Sequence, residues 1–272
     1  MGQKIKFPAI ALGLSLAIAA PAFGSVDINT TWTVDAAWGL GYTSDARFGG
    51  SGGTSGTVNI VSGGTWNTSG QMRFAEKGVA ATINVAVGGH LNADAEMVWN
   101  EGSVGTQTNR LNVYGTAYVQ QLKQSGEAGD DITTVGNGTD AATLTIVEGF
   151  LGKKGNASIT VSDGSTMIIT GGSSTWVDSF KIDNCAGTNA GAYIDLVGSG
   201  TLKVSTSITA SFINQSIQGD GTLGNWDVNA GTGDDAAYNI YTAVSAAAVP
   251  EPTSMSLLAL GGLALLRRRR RA

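Results

Sequence analysis

The sequence predicts an all-β protein, folded as a right-handed parallel β-helix (β-solenoid). Forty of the 272 residues are glycine, only 14% are charged, and 42% are hydrophobic, so the chain is rich in turns and still has enough apolar residues for a core. Short apolar-polar-apolar triplets recur along it, and each is followed by glycine and then by another apolar residue. A jelly-roll β-sandwich is the alternative, because it also combines many short strands with glycine turns.

The triplets provide the repeat on which the solenoid prediction depends. They occupy residues 58–60, 83–85, 111–113, 144–146, 159–161 and 194–196. The first three start 25 and then 28 residues apart, which is a typical solenoid period. One such unit is too small to bury its own apolar row, so we expect the units to stack. The later spacing is irregular, and we interpret residues 127–137 as a loop insertion.

Alternation along a strand predicts which side chains point inward. The inward set is Val58, Ile60, Ile83, Val85, Leu111, Val113, Leu144, Ile146, Ile159, Val161, Ile194 and Leu196. The outward residues at the triplet centres are Asn59, Asn84, Asn112, Thr145, Thr160 and Asp195. Such a column is expected to form a ladder of side-chain hydrogen bonds, or alternatively a flat polar face that binds a glycan.

The N-terminus predicts export. Residues 1–24 have the form of a signal peptide: Lys4 and Lys6 precede an apolar run over residues 7–20, and small residues follow, with cleavage after Ala22 or Gly24. The expected partners are the Sec translocon and signal peptidase. Residues 25–55 are then an N-terminal cap, residues 56–230 the solenoid body, and residues 231–248 a final strand, over residues 238–244, with a linker.

The C-terminus, residues 249–272, predicts a transient membrane anchor. An apolar stretch at residues 255–266 is shorter than the roughly 20 residues of a stable membrane-spanning helix, and it contains Gly261 and Gly262. An arginine run follows, consisting of Arg267, Arg268, Arg269, Arg270 and Arg271. Such a run is expected to stay on the cytoplasmic side of the inner membrane.

These features resemble the PEP-CTERM sorting signal of Gram-negative bacteria: Val249 followed by Pro250, Glu251 and Pro252, a short apolar helix with a central Gly-Gly, and a terminal arginine run. The resemblance implies that an exosortase recognises the tripeptide and removes the tail. It implies a location in the cell envelope, at the cell surface or outside the cell, often together with exopolysaccharide. Residues 56–210 also resemble the repeats of secreted autotransporter-like β-helical proteins.

The charge balance argues against nucleic acid as a partner. Removal of Lys4, Lys6 and the five arginines leaves nine of the 16 basic residues against 21 acidic ones, a net charge of about −12. A body of that sign repels phosphate backbones and gains nothing from counterion release.

Candidate chemical groups are few. His90 and Cys185 are the sole histidine and cysteine, which excludes an intrachain disulfide and a Cys/His zinc site. We interpret His90 as a turn residue and Cys185 as a buried small hydrophobe, and we assign no catalytic residue and no cofactor.

Acidic residues in glycine-containing segments offer one further candidate site. The pairs Asp130-Asp131 and Asp234-Asp235 are interpreted as solvated loop residues, with weak calcium binding as the alternative. Residues 136–140 and 219–221 faintly resemble the calcium repeats of β-rolls, but they lack the tandem period.

The sequence therefore predicts a non-catalytic exported protein of the cell surface or extracellular matrix, structural or adhesive in role. The alternative is a polysaccharide-active enzyme, a lyase or a glycosidase, because parallel β-helices also carry such activities.

Overall fold

The computed structural model describes residues 26–40, 45–48, 54–74, 79–99, 107–124, 129–151, 156–171, 180–182, 192–208 and 216–244. In these ranges the chain forms 22 strands and one 3-10 turn, Gly233–Asp235. The strands are β1 (Val26–Ile28), β2 (Thr31–Val34), β3 (Ala37–Leu40), β4 (Ala46–Phe48), β5 (Gly56–Ile60), β6 (Thr65–Thr68), β7 (Met72–Phe74), β8 (Ala81–Val85), β9 (His90–Trp99), β10 (Thr108–Val113), β11 (Thr116–Gln124), β12 (Asp130–Val135), β13 (Thr143–Leu151), β14 (Asn156–Val161), β15 (Thr166–Ile169), β16 (Phe180–Ile182), β17 (Ala192–Leu196), β18 (Thr201–Ser205), β19 (Ile217–Gly219), β20 (Thr222–Leu223), β21 (Trp226–Ala230) and β22 (Tyr238–Ala243).

Two sheets wind around one core. The nine-stranded sheet has the order β2-β5-β8-β10-β12-β14-β17-β19-β20, and every pair from β2 to β19 is parallel. From β2 to β19, two strands that lie side by side in this sheet are never consecutive in the chain. The chain therefore passes through the other sheet once between them, which completes one turn. This arrangement confirms the β-solenoid and excludes the jelly roll, in which such strands would pair antiparallel.

Each turn of the solenoid, called a coil below, has three faces. The nine-stranded sheet is the first face. The 13-stranded sheet bends between a second and a third face: β9 pairs with β6 through its first half and with β7 through its second half. In the same way β13 pairs with β15 and then with β16. A coil therefore runs from the first face through the second to the third.

The register corrects one prediction. Residues 127–137 are not a loop insertion, because Asp130–Val135 form β12 on the first face. Thr133 lies beside Leu111 there, whereas Leu144 lies beside Ala117 and belongs to the second face. The fourth triplet was thus assigned to the wrong column. The search for apolar-polar-apolar triplets missed this first-face strand because its inward residue, Thr133, is polar.

The predicted core residues are all buried. Each of the twelve inward side chains is fully enclosed, with 0% of its surface exposed. On the third face the interior carries an aromatic stack: the ring centroids of Phe48 and Phe74 are 4.6 Å apart, and those of Phe74 and Trp99 are 5.0 Å apart. Burial of these apolar side chains in one continuous cluster is the main stabilising contribution to the solenoid.

Glycine is required at the corner between the first and second faces. Gly63 and Gly88 adopt φ of 78° and 72°, a left-handed conformation that side chains with a Cβ rarely adopt. At the next position a Cβ on Gly64 would collide with the carbonyl oxygen of Val34 in the preceding coil. The repeated Gly-Gly therefore allows coils to stack at a tight corner.

The two ends of the solenoid differ. At the C-terminal end, β22 lies antiparallel to β18 and β21 lies antiparallel to β22, and the Trp226 ring packs against the buried Tyr241 ring at 5.3 Å. β22 covers most of the segment for which the sequence predicts a final strand. At the N-terminal end, β2, β3 and β4 form a coil in parallel register with β5, β6 and β7.

Candidate functional site

The outward asparagine column forms a hydrogen-bonded ladder. Asn84 Nδ2 donates to Asn59 Oδ1 at 2.8 Å, and Asn112 Nδ2 donates to Asn84 Oδ1 at 2.8 Å. The column continues on the first face with Thr134, Thr160 and Asp195. Thr145 does not belong to it, because it lies on the second face. The amide groups thus bond to one another across coils, as the ladder interpretation predicts.

The second face carries an outward row of threonine hydroxyl groups that His90 interrupts. His90 lies between Thr65 and Thr116 in register, is exposed, and starts β9 directly after the glycine corner. Next to it, Asn92 Nδ2 donates to Asn67 Oδ1 at 2.7 Å. The histidine therefore occupies a position that is threonine in neighbouring coils, as the sequence repeat indicates, but it is the first residue of a strand and not the turn residue that the sequence analysis predicts.

The third face carries a row of alternating amide and carboxylate side chains that sequence analysis missed. Gln71 Nε2 donates to Glu96 Oε2 at 2.8 Å, and Gln121 Nε2 donates to Glu148 Oε2 at 2.9 Å. Gln121 lies beside both Glu96 and Glu148 in register. These four residues, called the third-face row below, are 25, 25 and 27 residues apart, and that spacing is the signal by which they could have been found.

Two cations flank the third-face row. Lys123 forms a salt bridge with Glu96, and Arg73 donates from Nε and Nη2 to Gln71 Oε1 at 3.0 and 2.7 Å. Burial lowers the pKa of Lys123, and the nearby Glu148 carboxylate opposes that shift. The carboxylates of the row are thus held by donors from neighbouring coils.

The first acidic pair is divided between two environments. Asp130 and Asp131 follow each other on β12, so their side chains point to opposite sides. Asp130 Oδ1 accepts from Asn156 Nδ2 at 2.8 Å on the outside, whereas Asp131 is only 2% exposed and accepts from Asn109 Nδ2 at 2.9 Å inside. The prediction of a solvated loop pair is therefore wrong here.

The interior of the same coils contains a second polar contact. Gln124 Nε2 donates to Thr133 Oγ1 at 2.6 Å, and both residues are fully buried. Gln124 stands next to Trp99 in register, where it ends the aromatic stack. Polar residues at inward positions thus replace apolar ones in the middle of the solenoid.

The second acidic pair lies on the C-terminal cap. Asp234 and Asp235 belong to the 3-10 turn, and Asp235 accepts two hydrogen bonds from Lys203 Nζ at 2.7 and 2.8 Å. In residues 136–140, Asn137 Oδ1 accepts from the backbone of Thr139 and Asp140 at 2.9 and 2.8 Å. These oxygens serve the local fold, and the described segments contain no group of three or more metal-ligating side chains.

Acidic side chains at the first corner of the later coils bind the neighbouring turn. Asp163 Oδ1 accepts from the backbone and the hydroxyl of Ser199, and Asp220 Oδ1 accepts from Gly198 N at 2.9 Å. Hydrogen bonds from the side chain and backbone of Ser199 lower the pKa of Asp163. Residues 219–221 therefore join coils at this corner.

Several predicted residues lie outside the described segments: Cys185, Pro250, Glu251, Pro252 and the arginine run Arg267 to Arg271. The same holds for residues 1–24 and for the apolar stretch 255–266. In the part of the chain that the structure describes, no helix is long and apolar enough to cross a membrane.

Comparison with known proteins identifies the C-terminus. Residues 248–271 match the PEP-CTERM protein-sorting motif, which agrees within one residue with the segment predicted from the sequence. No curated protein and no solved structure shows a significant match to the chain. The motif indicates an exported, envelope-associated protein that is sorted by an exosortase.

Proposed function

We propose that this protein is a non-catalytic structural or adhesive component of the cell surface or extracellular matrix, delivered there by exosortase sorting. The observation that carries the proposal is the pairing of outward side chains between coils. The Asn59-Asn84-Asn112 ladder and the third-face row bond along the solenoid axis, so they stabilise the outer surface.

The shape of the body supports a scaffold role. Eight parallel strands stack on the first face, from β2 to β19. Neighbouring strands are about 4.8 Å apart, so the parallel part is about 34 Å long. One continuous hydrophobic core runs through this parallel part. A body of this kind is suited to act as a stiff spacer between the molecules that it contacts.

Exopolysaccharide is the proposed partner. The outer faces offer repeated hydroxyl and amide groups at the spacing of the coils, among them Thr65, Thr116 and Asn92. Such groups both donate and accept hydrogen bonds, as sugar hydroxyls require. Because the processed body has a net charge of about −12, we expect it to bind neutral glycans in preference to acidic ones.

A polysaccharide-active enzyme is the second candidate, and one feature favours it. Glu96 and Glu148 lie on the same outer face, two strands apart, with Gln121 between them. That separation is about 9.6 Å between their backbones. Inverting glycosidases hold two carboxyl groups about 6.5–9.5 Å apart, so the third-face row is where such an activity would reside.

One experiment separates the two candidates. The exported protein is incubated with neutral and acidic polysaccharides, and both co-sedimentation and new reducing ends or unsaturated products are measured. We expect co-sedimentation with neutral polysaccharides and no new ends.

The control variants assign any activity that appears. New ends that are lost in Glu96→Gln or Glu148→Gln, and retained in Asp227→Asn on the exposed cap strand, would overturn the non-catalytic proposal. Absence of both cleavage and co-sedimentation would overturn the adhesive role.

A further inference from the structure

The corner between β12 and β13 is longer than the same corner in four other coils. It consists of residues 136–142, whereas the corresponding corners have four residues each: 61–64, 86–89, 162–165 and 197–200. Residues 137–141 are all exposed. A Cβ placed on Gly138 would meet no atom within 4 Å. At this corner the chain therefore projects from the surface of the solenoid.

Both ends of the projection are fixed to neighbouring coils. Gly136 N donates to Val113 O at 2.8 Å, and Ala142 N donates to Ser165 Oγ at 3.2 Å. Gly136 has a φ of 80°, and a Cβ at this position would collide with Ser165 Oγ. Residues 137–141 are thus held outward on a base that the core of the solenoid orders.

The side chain of Asn137 organises the projection. Its Oδ1 accepts from Thr139 Oγ1 at 2.8 Å, from Thr139 N at 2.9 Å and from Asp140 N at 2.8 Å. Its Nδ2 donates to Asp140 Oδ2 at 3.0 Å. This is an Asx turn, to which the hydroxyl group two residues later adds a further bond.

The residues of this turn, Asn137-Gly138-Thr139, have the form Asn-x-Ser/Thr that accepts N-linked glycans in exported proteins. An amide nitrogen is a poor nucleophile, because its lone pair is delocalised into the carbonyl group. Hydrogen bonds to Oδ1 make the amide N–H groups more acidic, and the Asp140 carboxylate lies within reach of one of them. The turn therefore combines exposure, the required hydroxyl group and a proton acceptor.

Three other asparagines in the described segments begin tripeptides of the same form, but their amide groups lie in different surroundings. Asn67 Oδ1 accepts from Asn92 Nδ2 at 2.7 Å on β6, and Asn156 Nδ2 donates to Asp130 Oδ1 at 2.8 Å on β14. Asn29 Oδ1 is buried. A sugar on Asn67 or Asn156 would disturb a bond between coils, whereas a sugar on Asn137 would extend into solvent.

We propose that Asn137 is a site of N-linked glycosylation, with a lipid-diphosphate-linked oligosaccharide as the sugar donor. The sorting motif indicates that the body is exported, and export brings Asn137 to the side of the inner membrane where such donors are used. Asn137 Nδ2 attacks the anomeric carbon, and the bond from that carbon to the diphosphate oxygen breaks. The electron pair leaves with the lipid diphosphate, and one Nδ2 proton passes to a carboxylate base.

The attached glycan would stand at the corner between the first and second faces. It is bonded covalently, so it does not depend on the hydrogen-bonding groups that the proposed adhesive role uses on the outer faces. The proposal therefore stands or falls separately from binding of exopolysaccharide.

Peptide mass spectrometry of the exported protein from the native host tests the proposal. Trypsin cuts after lysine, so Asn137 lies in the peptide 124–153 and Asn156 in the peptide 155–181. We expect carbohydrate mass on the first peptide, and sugar fragments that place it on Asn137. We expect the second peptide to be unmodified.

Four variants identify what the modification requires. Asn137→Gln is expected to abolish it. Thr139→Val keeps the asparagine but removes the hydroxyl group, so it is also expected to abolish the modification, whereas Thr139→Ser keeps the hydroxyl group and should retain it. Asn156→Gln is the matched control, because it removes a tripeptide of the same form on a strand, and it should leave the peptide 124–153 glycosylated. Far-UV circular dichroism checks that each variant is folded.

Any of three results would overturn the proposal. The first is a peptide 124–153 without carbohydrate in the exported natural chain. The second is carbohydrate that persists on this peptide in Asn137→Gln or in folded Thr139→Val. The third is carbohydrate on the peptide 155–181 in place of the peptide 124–153.

Discussion

Truncation of Asn84 tests whether the outer ladder stabilises the solenoid. Asn84 is the central member: it donates to Asn59 and accepts from Asn112, each at 2.8 Å, and all three side chains are part-buried. Asn84→Ala therefore removes two hydrogen bonds and leaves one acceptor and one donor unsatisfied. At about 0.5–1.5 kcal/mol for each bond, we expect the free energy of unfolding to fall by about 1–3 kcal/mol.

Urea denaturation followed by tryptophan fluorescence measures that change. Asn112→Ala is the internal comparison, because it removes only the bond to Asn84 and should cost about half as much. The double variant Asn84→Ala/Asn112→Ala should cost less than the sum of the two single variants, since both lose the same bond. An Asn84→Ala protein as stable as the natural one would refute the ladder argument and would leave the column free for ligand binding.

Three further predictions concern the core, the sorting motif and the acidic corner. Ile83→Ala should lower the free energy of unfolding by about 2–5 kcal/mol, because the side chain is fully buried between coils, and urea denaturation measures the loss. Glu251→Ala should leave export intact and block tail removal, so immunoblotting should detect a larger membrane-bound form; normal processing would contradict the sorting role. Hydrogen bonds from Ser199 lower the folded-state pKa of Asp163, so their stabilising contribution is present above the unfolded pKa and is lost as pH falls through the folded pKa. Stability measured across the acidic range should therefore depend less on pH in Ser199→Ala, and an unchanged pH profile would count against this linkage.

The apolar pattern was a reliable guide wherever inward positions carry aliphatic residues. Val58, Ile83 and Ile159 stand in one column of the first face, as their spacing and the following glycines indicate. The cause is local, because strand alternation decides which side chains point inward, and glycine decides where the chain can turn sharply. The sorting motif was likewise readable, since it is a short contiguous segment.

The assignment of coils failed where an inward residue is polar. Thr133 replaces an aliphatic residue on the first face, so the Leu144 triplet of the second face was taken for the missing member. Asp131 was read as a loop residue for the same reason, although it is buried beside Asn109. A polar inward residue is acceptable only when the neighbouring coil supplies its hydrogen-bond partner.

The sequence by itself determined the class of fold, the inward aliphatic rows, the glycine corners and the sorting signal, because each depends on residues close together in the chain. Only the tertiary structure decided that Gln71, Glu96, Gln121 and Glu148 form one row, and that the antiparallel strands β21 and β22 cap the C-terminal end. Those features depend on which strand lies beside which, about 25 residues away along the chain. That pairing is established only when the coils stack and their shared core is buried.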